Sequence, residues 1–142
     1  MDLTLRYKGY VSDSTRTFGL GSVSGEAKSV YEIVKESQKM GLKAVKPGAS
    51  CKSVDDACRD YIKEKKYGKY FIHSTGHGIG VEVHELPNIS PKSTTKLAKN
   101  MAITVEPGIY IPKKFGVRIE DSLIVQDKPI LLHKFTKDLI VI

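Results

Sequence analysis

Apolar and polar positions change their period along this chain. Leu3, Leu5, Tyr7 and Val11 alternate with polar side chains over residues 2–11, the period of a half-buried strand. Gly9 and the polar Ser12-Asp13-Ser14 predict a bend or bulge there, with extended chain resuming over 15–20. Residues 21–25, rich in Gly and Ser, predict a loop. The period then becomes three and four. Ala27, Val30, Tyr31 and Val34 mark one face of a helix over about 26–40, with Gly41 as its stop. Pro47-Gly48 predicts a turn. Ser53-Val-Asp-Asp56 has the form of a capping box, opening a second helix that ends at Gly68. Its apolar face is Val54, Ala57, Cys58, Tyr61 and Ile62. Beyond it, short apolar runs predict strands at 70–73, 80–84, 101–105, 108–111, 116–119 and 123–126, with two more at 129–133 and 139–142. Two amphipathic helices followed by a mainly antiparallel sheet make the fold class α+β, in one domain over residues 1–142.

Composition narrows the classes. A hydrophobic fraction of 40% with 8% aromatics suits a globular core. No apolar run is long enough for a bilayer, and the first residues lack a basic stretch followed by an apolar one. No membrane association and a cytoplasmic location are therefore expected. Cys51 and Cys58 lie two helical turns apart, too far for a disulfide, so reduced thiols are expected. The net charge of +7 is spread over separate segments. Lys63, Lys65, Lys66 and Lys69 favour the dipole at a helix end, and no interleaved aromatics offer a stacking platform. No nucleic-acid partner is expected.

The candidate chemistry begins at His73-Ser-Thr-Gly-His77-Gly-Ile-Gly-Val-Glu-Val-His84-Glu, which holds three of the four histidines. Gly76, Gly78 and Gly80 let backbone approach His77 closely. Asp2 and Asp13 precede it, Glu106 closes an apolar strand at Pro-Gly, and Glu120 ends Gly-Val-Arg-Ile-Glu. Each acid alone also fits a bland role. Asp2 suits a solvated terminus, Asp13 a turn, and Arg118 with Glu120 a surface ion pair. The odd spacing of Asp2 and Asp13 puts them on opposite faces of a straight strand, unless a hairpin or bulge near Gly9 joins them. Taken together, four carboxylates and one imidazole form a hard, oxygen-rich donor set. Four acids at close range repel without cations, and two divalent ions about 3.5–4 Å apart would neutralise them and polarise a carbonyl.

These segments resemble the pita-bread metallopeptidases, in particular the Xaa-Pro branch of prolidase and aminopeptidase P. The matching pieces are Tyr-Lys-Gly-Tyr-Val-Ser-Asp13-Ser-Thr-Arg-Thr-Phe, the histidine-glycine segment, Thr-Val-Glu106-Pro-Gly-Ile-Tyr-Ile-Pro and Gly-Val-Arg118-Ile-Glu120-Asp. One departure is Thr4, where the family often has glycine. The resemblance implies the C-terminal part of a pita-bread catalytic domain, a curved sheet with both helices on one face. It also implies a dinuclear centre: Asp2 on the first metal, Asp13 and Glu120 bridging, His77 and Glu106 on the second. Mn²⁺ or Co²⁺ is the implied ion pair, with Zn²⁺ or Fe²⁺ as alternatives. Glu106 would also act as general base, His73 and His84 would orient substrate, and Arg118 would support the site beside Glu120. The implied reaction is hydrolysis of the bond between an N-terminal residue and proline in a small peptide. The alternative is an inactive, truncated fragment that binds peptide or protein. An incomplete domain should expose apolar sheet, so a homo-oligomer or a partner chain is expected.

Overall fold

The first alternating segment folds back on itself. In the computed structural model, which describes residues 1–142, strands β1 (Asp2–Tyr7) and β2 (Tyr10–Thr15) pair antiparallel. Lys8 (φ 49°) and Gly9 (φ 85°) supply the two left-handed residues of a tight hairpin turn. Thr4 lies opposite Asp13 and Asp2 opposite Thr15, so all four share one face. The hairpin therefore joins the two aspartates, and β2 runs straight through residues 12–14 without the expected bulge. Beyond Thr15, residues 16–20 do not resume as a strand; Gly19 forms an isolated parallel bridge with Val141.

Helix α1 (Gly25–Ala44) starts at Ser24, whose hydroxyl accepts from the Ala27 amide. It does not stop at Gly41. A Cβ there would sit 2.4 Å from Cys58 Sγ, so this glycine lets α2 (Cys51–Glu64) pack closely against α1. The cap of α2 is Ser50 rather than Ser53. Ser50 Oγ accepts from the Ser53 amide, and the Ser53 hydroxyl donates to the Ser50 carbonyl. The helix ends at Glu64, ahead of Gly68, which opens a short 3-10 turn to Tyr70. Cys51, Val54, Cys58 and Ile62 are buried, and so is Asp55. Both thiols are free, and burial pushes Cys58 up to about 12.

The later strands are β3 (Gly76–Gly78), β4 (Glu85–Ile89), β5 (Ala102–Val105), β6 (Gly108–Ile111), β7 (Phe115–Arg118), β8 (Asp121–Ile124) and β9 (Ile130–Leu131). Five form an antiparallel sheet in the order β4-β3-β5-β8-β9, and β6-β7 is a separate hairpin. Two predicted strands are absent. Residues 71–73 do not join the sheet, because Arg59 on α2 takes the carbonyls of Phe71 and His73. Residues 80–84 bend, because the β3–β4 register shifts after His77 and the Glu85 carboxylate caps the Glu82 amide. The predicted strand at 139–142 reduces to the Val141 bridge. Val30, Val34 and Ile62 of the helices join Ile103, Val105, Ile109, Ile119 and Leu123 in one buried core. No helix is long and apolar enough to cross a membrane.

Candidate metal centre

Four elements deliver the chemistry: β2, β3, the end of β5, and the junction of β7 with β8. His77 is the middle residue of β3, where its glycine neighbours allow very close strand packing. A Cβ on Gly76 would fall 2.0 Å from the Thr104 carbonyl oxygen, and one on Gly78 2.2 Å from that of Leu86. The His77 Nδ1–H donates to the Gly78 carbonyl at 2.9 Å. That bond leaves Nε2 facing the acids, where it donates to Glu106 when the ring is protonated and offers a lone pair to a cation when it is neutral. Nε2 lies 3.2 Å from Glu106 Oε1 and 3.8 Å from Asp13 Oδ2.

Asp13, His77 and Glu120 each offer a ligand atom, all within 4.8 Å of one another. All three are nearly enclosed. Burial, reinforced by Glu106 and Asp13, pushes the Glu120 carboxyl up to about 8. Burial also raises Asp13, against the bond it accepts from Thr4 and with Asp2 adding to the rise. At His77 burial works downward, but the bond to Glu106 and the Gly78 carbonyl outweigh it and the ring is held above its usual value. The arrangement thus crowds hard oxygen donors and one oriented imidazole into a space whose negative charge a divalent cation would neutralise. That donor set fits the implied ions.

The remaining expected residues fall into two groups. Glu106 joins the cluster through His77 and accepts from the Thr104 hydroxyl at 3.1 Å. Asp2 stands at the rim, with 54% of its side chain exposed. It pairs with Arg118 and lies 3.0 Å from the Thr15 hydroxyl. Arg118 therefore engages Asp2 and, through Nε at 3.0 Å, Thr15, with no hydrogen bond to Glu120. His84 is exposed, its ring centroid 4.3 Å from that of His77. His73 lies outside the acid cluster. Its Nδ1–H donates to the Ser74 carbonyl, and its Nε2 accepts from the Tyr110 hydroxyl at 2.9 Å.

Sequence reasoning missed the hydroxyls that orient the acids. Thr4 donates to Asp13 at 3.0 Å, Thr15 to Glu120 at 2.7 Å, and Thr104 to Glu106. The signal was present: Thr4 is two residues from Asp2, Thr15 two from Asp13, and Thr104 two from Glu106, the same-face spacing of a strand. Asp55 and Tyr110 were missed as well. Asp55 accepts from the Thr75 amide and hydroxyl and from Arg59, fixing the segment that leads into His77.

Comparison with known proteins gives the family and the fold. The model of metallopeptidase family M24 matches residues 1–127. The chain is 50% identical over 127 residues to an Xaa-Pro dipeptidase of Pyrococcus furiosus, covering 89% of this chain and 36% of that protein. A solved dipeptidase of Pyrococcus horikoshii OT3 matches with a TM-score of 0.97 at 46% identity, over 99% of this chain and 40% of that one. An X-Pro aminopeptidase of Thermotoga maritima MSB8 matches with a TM-score of 0.95 at 42% identity, over 99% and 40%. The chain spans well under half the length of these relatives. The matches carry the pita-bread fold that the sequence resemblance implied.

Proposed function

The chain belongs to metallopeptidase family M24, and from that premise we propose that it carries the metal centre of an enzyme that hydrolyses the bond between an N-terminal residue and proline. The observation that carries the proposal is the meeting of Asp13, His77 and Glu120 in one enclosed cluster. Two divalent cations, Mn²⁺ or Co²⁺, would be held by Asp2, Asp13, His77, Glu106 and Glu120. When bound, they would polarise the scissile carbonyl and lower the proton affinity of the attacking water.

The side chains divide the remaining work. Glu106, held by Thr104, takes the proton of the attacking water and returns it to the proline nitrogen as the carbon–nitrogen bond breaks. His84, exposed beside His77, is free to meet the substrate carbonyl. His73, fixed by Tyr110, helps orient the peptide. Arg118 holds Asp2 and Thr15, and through Thr15 the carboxylate of Glu120. Leu3, Leu5, Tyr7 and Tyr10 are exposed on the hairpin, which supports a second copy or a partner chain covering that face.

The test is an assay with Mn²⁺ or Co²⁺ on an Xaa-Pro dipeptide, a longer Xaa-Pro peptide and a Met-Ala peptide. Cleavage of the Xaa-Pro substrates supports the proposal. Cleavage of the Met peptide alone contradicts the proline assignment. Metal binding with no cleavage of any peptide favours the alternative of a non-catalytic peptide-binding module.

A further inference from the structure

Two buried charged residues in the motif segments have no role in the chemistry above, Arg16 and Asp121. Both are buried, Asp121 completely. A guanidinium has five N–H bonds, and here each finds a partner. Nε donates to the Thr136 carbonyl at 2.9 Å. Nη1 donates to the carbonyls of Thr15 at 2.9 Å and Glu120 at 2.5 Å. Nη2 donates to Asp121 Oδ1 at 2.6 Å and to the Phe135 carbonyl at 3.3 Å. The second oxygen of Asp121 accepts from Gln38 at 2.9 Å and pairs with Lys137. Lys137 also donates to Gln38 Oε1 at 3.0 Å. One planar cation thus ties together the end of β2, the β7–β8 junction and residues 135–136, and Asp121 adds Lys137.

Net stability is a weak reason for such a set, because desolvation offsets the pairing and apolar residues of equal volume often serve as well. What a planar fork with every donor engaged does fix is direction. The two carbonyls shared by Nη1 belong to Thr15 and Glu120. The same two residues are joined again by the Glu120 amide to the Thr15 carbonyl at 3.1 Å and by the Thr15 hydroxyl to Glu120 Oε2 at 2.7 Å. We propose that Arg16, backed by Asp121 and Lys137, is a positioning unit that aims the Glu120 carboxylate into the metal centre. The inference rests on the metal-centre reading given above. It makes residues 135–137 part of the site's support although they offer no ligand.

The experiment compares the wild-type chain with Arg16→Lys, which keeps the charge but has three donors and no fork. Lys137→Met, which leaves Arg16 intact, is the second variant should Arg16→Lys fold poorly. Without metal, hydrogen exchange is followed at the Glu120 amide. With Co²⁺, affinity and the visible absorption band report how the ligands are set. Arg16→Lys should speed Glu120 exchange while α2 amides keep theirs, weaken Co²⁺ binding about 10–100-fold, and shift the band. Lys137→Met should move all three in the same direction by less. A wild-type chain that binds Co²⁺, with both variants matching its affinity, band and exchange, overturns the positioning role and leaves the centre standing. A folded wild-type chain that binds no Co²⁺ overturns the centre and the positioning role with it.

Discussion

Replacing Glu120 by Gln should stabilise the metal-free protein while removing its response to metal. The carboxyl of Glu120 is 1% exposed, with Glu106 and Asp13 adding negative charge around it. Its folded-state value rises from an ordinary 4.5 to about 8. The folded chain therefore holds this proton more tightly than the unfolded chain. Stability from this group is fully present below about pH 4.5, falls as pH rises, and is lost above about pH 8. Each pH unit of that gap is worth about 1.4 kcal/mol, which sets a ceiling of about 5 kcal/mol at pH 8. Gln keeps the shape and can still accept from Thr15, but its own burial takes back part of the gain. A net gain of about 2–4 kcal/mol at pH 8 follows, or about 6–12 °C in Tm for a chain of this size. The assay is thermal unfolding from pH 5 to 8, in EDTA and in saturating Mn²⁺. In EDTA the wild-type Tm should fall with pH and the Gln variant should fall less, ending higher. In Mn²⁺ the wild type should gain, because the ion binds the folded chain, and the variant should not. A Gln variant less stable than wild type at pH 8 in EDTA would refute the reasoning that an uncompensated buried carboxylate burdens the metal-free fold.

Three further outcomes follow from the packing and the site. Gly41→Ala places a Cβ 2.4 Å from Cys58 Sγ and 3.0 Å from Val105, so urea unfolding should show a loss of about 1–3 kcal/mol, recovered in part by adding Cys58→Ala. Thr104→Val removes the hydroxyl that accepts from the His77 amide and donates to Glu106; Mn²⁺ affinity by calorimetry should fall about tenfold or more, with the chain still folded. Leu5→Lys, on the exposed face of the hairpin, should lower the association state seen by light scattering, and a wild-type chain that is monomeric at high concentration would remove the basis for that prediction.

What was legible in the sequence was local. Acids closing apolar strands, and a histidine between glycines, are visible because burial of such groups needs a reason that neighbours in sequence already suggest. The α+β class followed from the change of period. What was hidden depends on contacts between distant segments. Gly41 has the appearance of a helix stop, and only the presence of Cys58 on the next helix shows it as a crossing point. Residues 70–73 have a strand-like pattern, yet Arg59 takes two of their carbonyls from α2, a capture no local period encodes. Asp2 and Asp13 could be joined only after the hairpin turn was placed at Lys8-Gly9. Four of the five bonds of Arg16 reach residues more than a hundred positions away, so its motif position was visible and its partners were not.

The most direct test of the metal centre is Mn²⁺ stoichiometry by equilibrium dialysis with elemental analysis, on the wild-type chain, His77→Ala and Glu120→Gln. The wild type should hold two ions per chain, His77→Ala one, and Glu120→Gln, lacking the shared carboxylate, fewer than one. A folded wild-type chain that retains no Mn²⁺, or variants that bind as the wild type does, would contradict the centre.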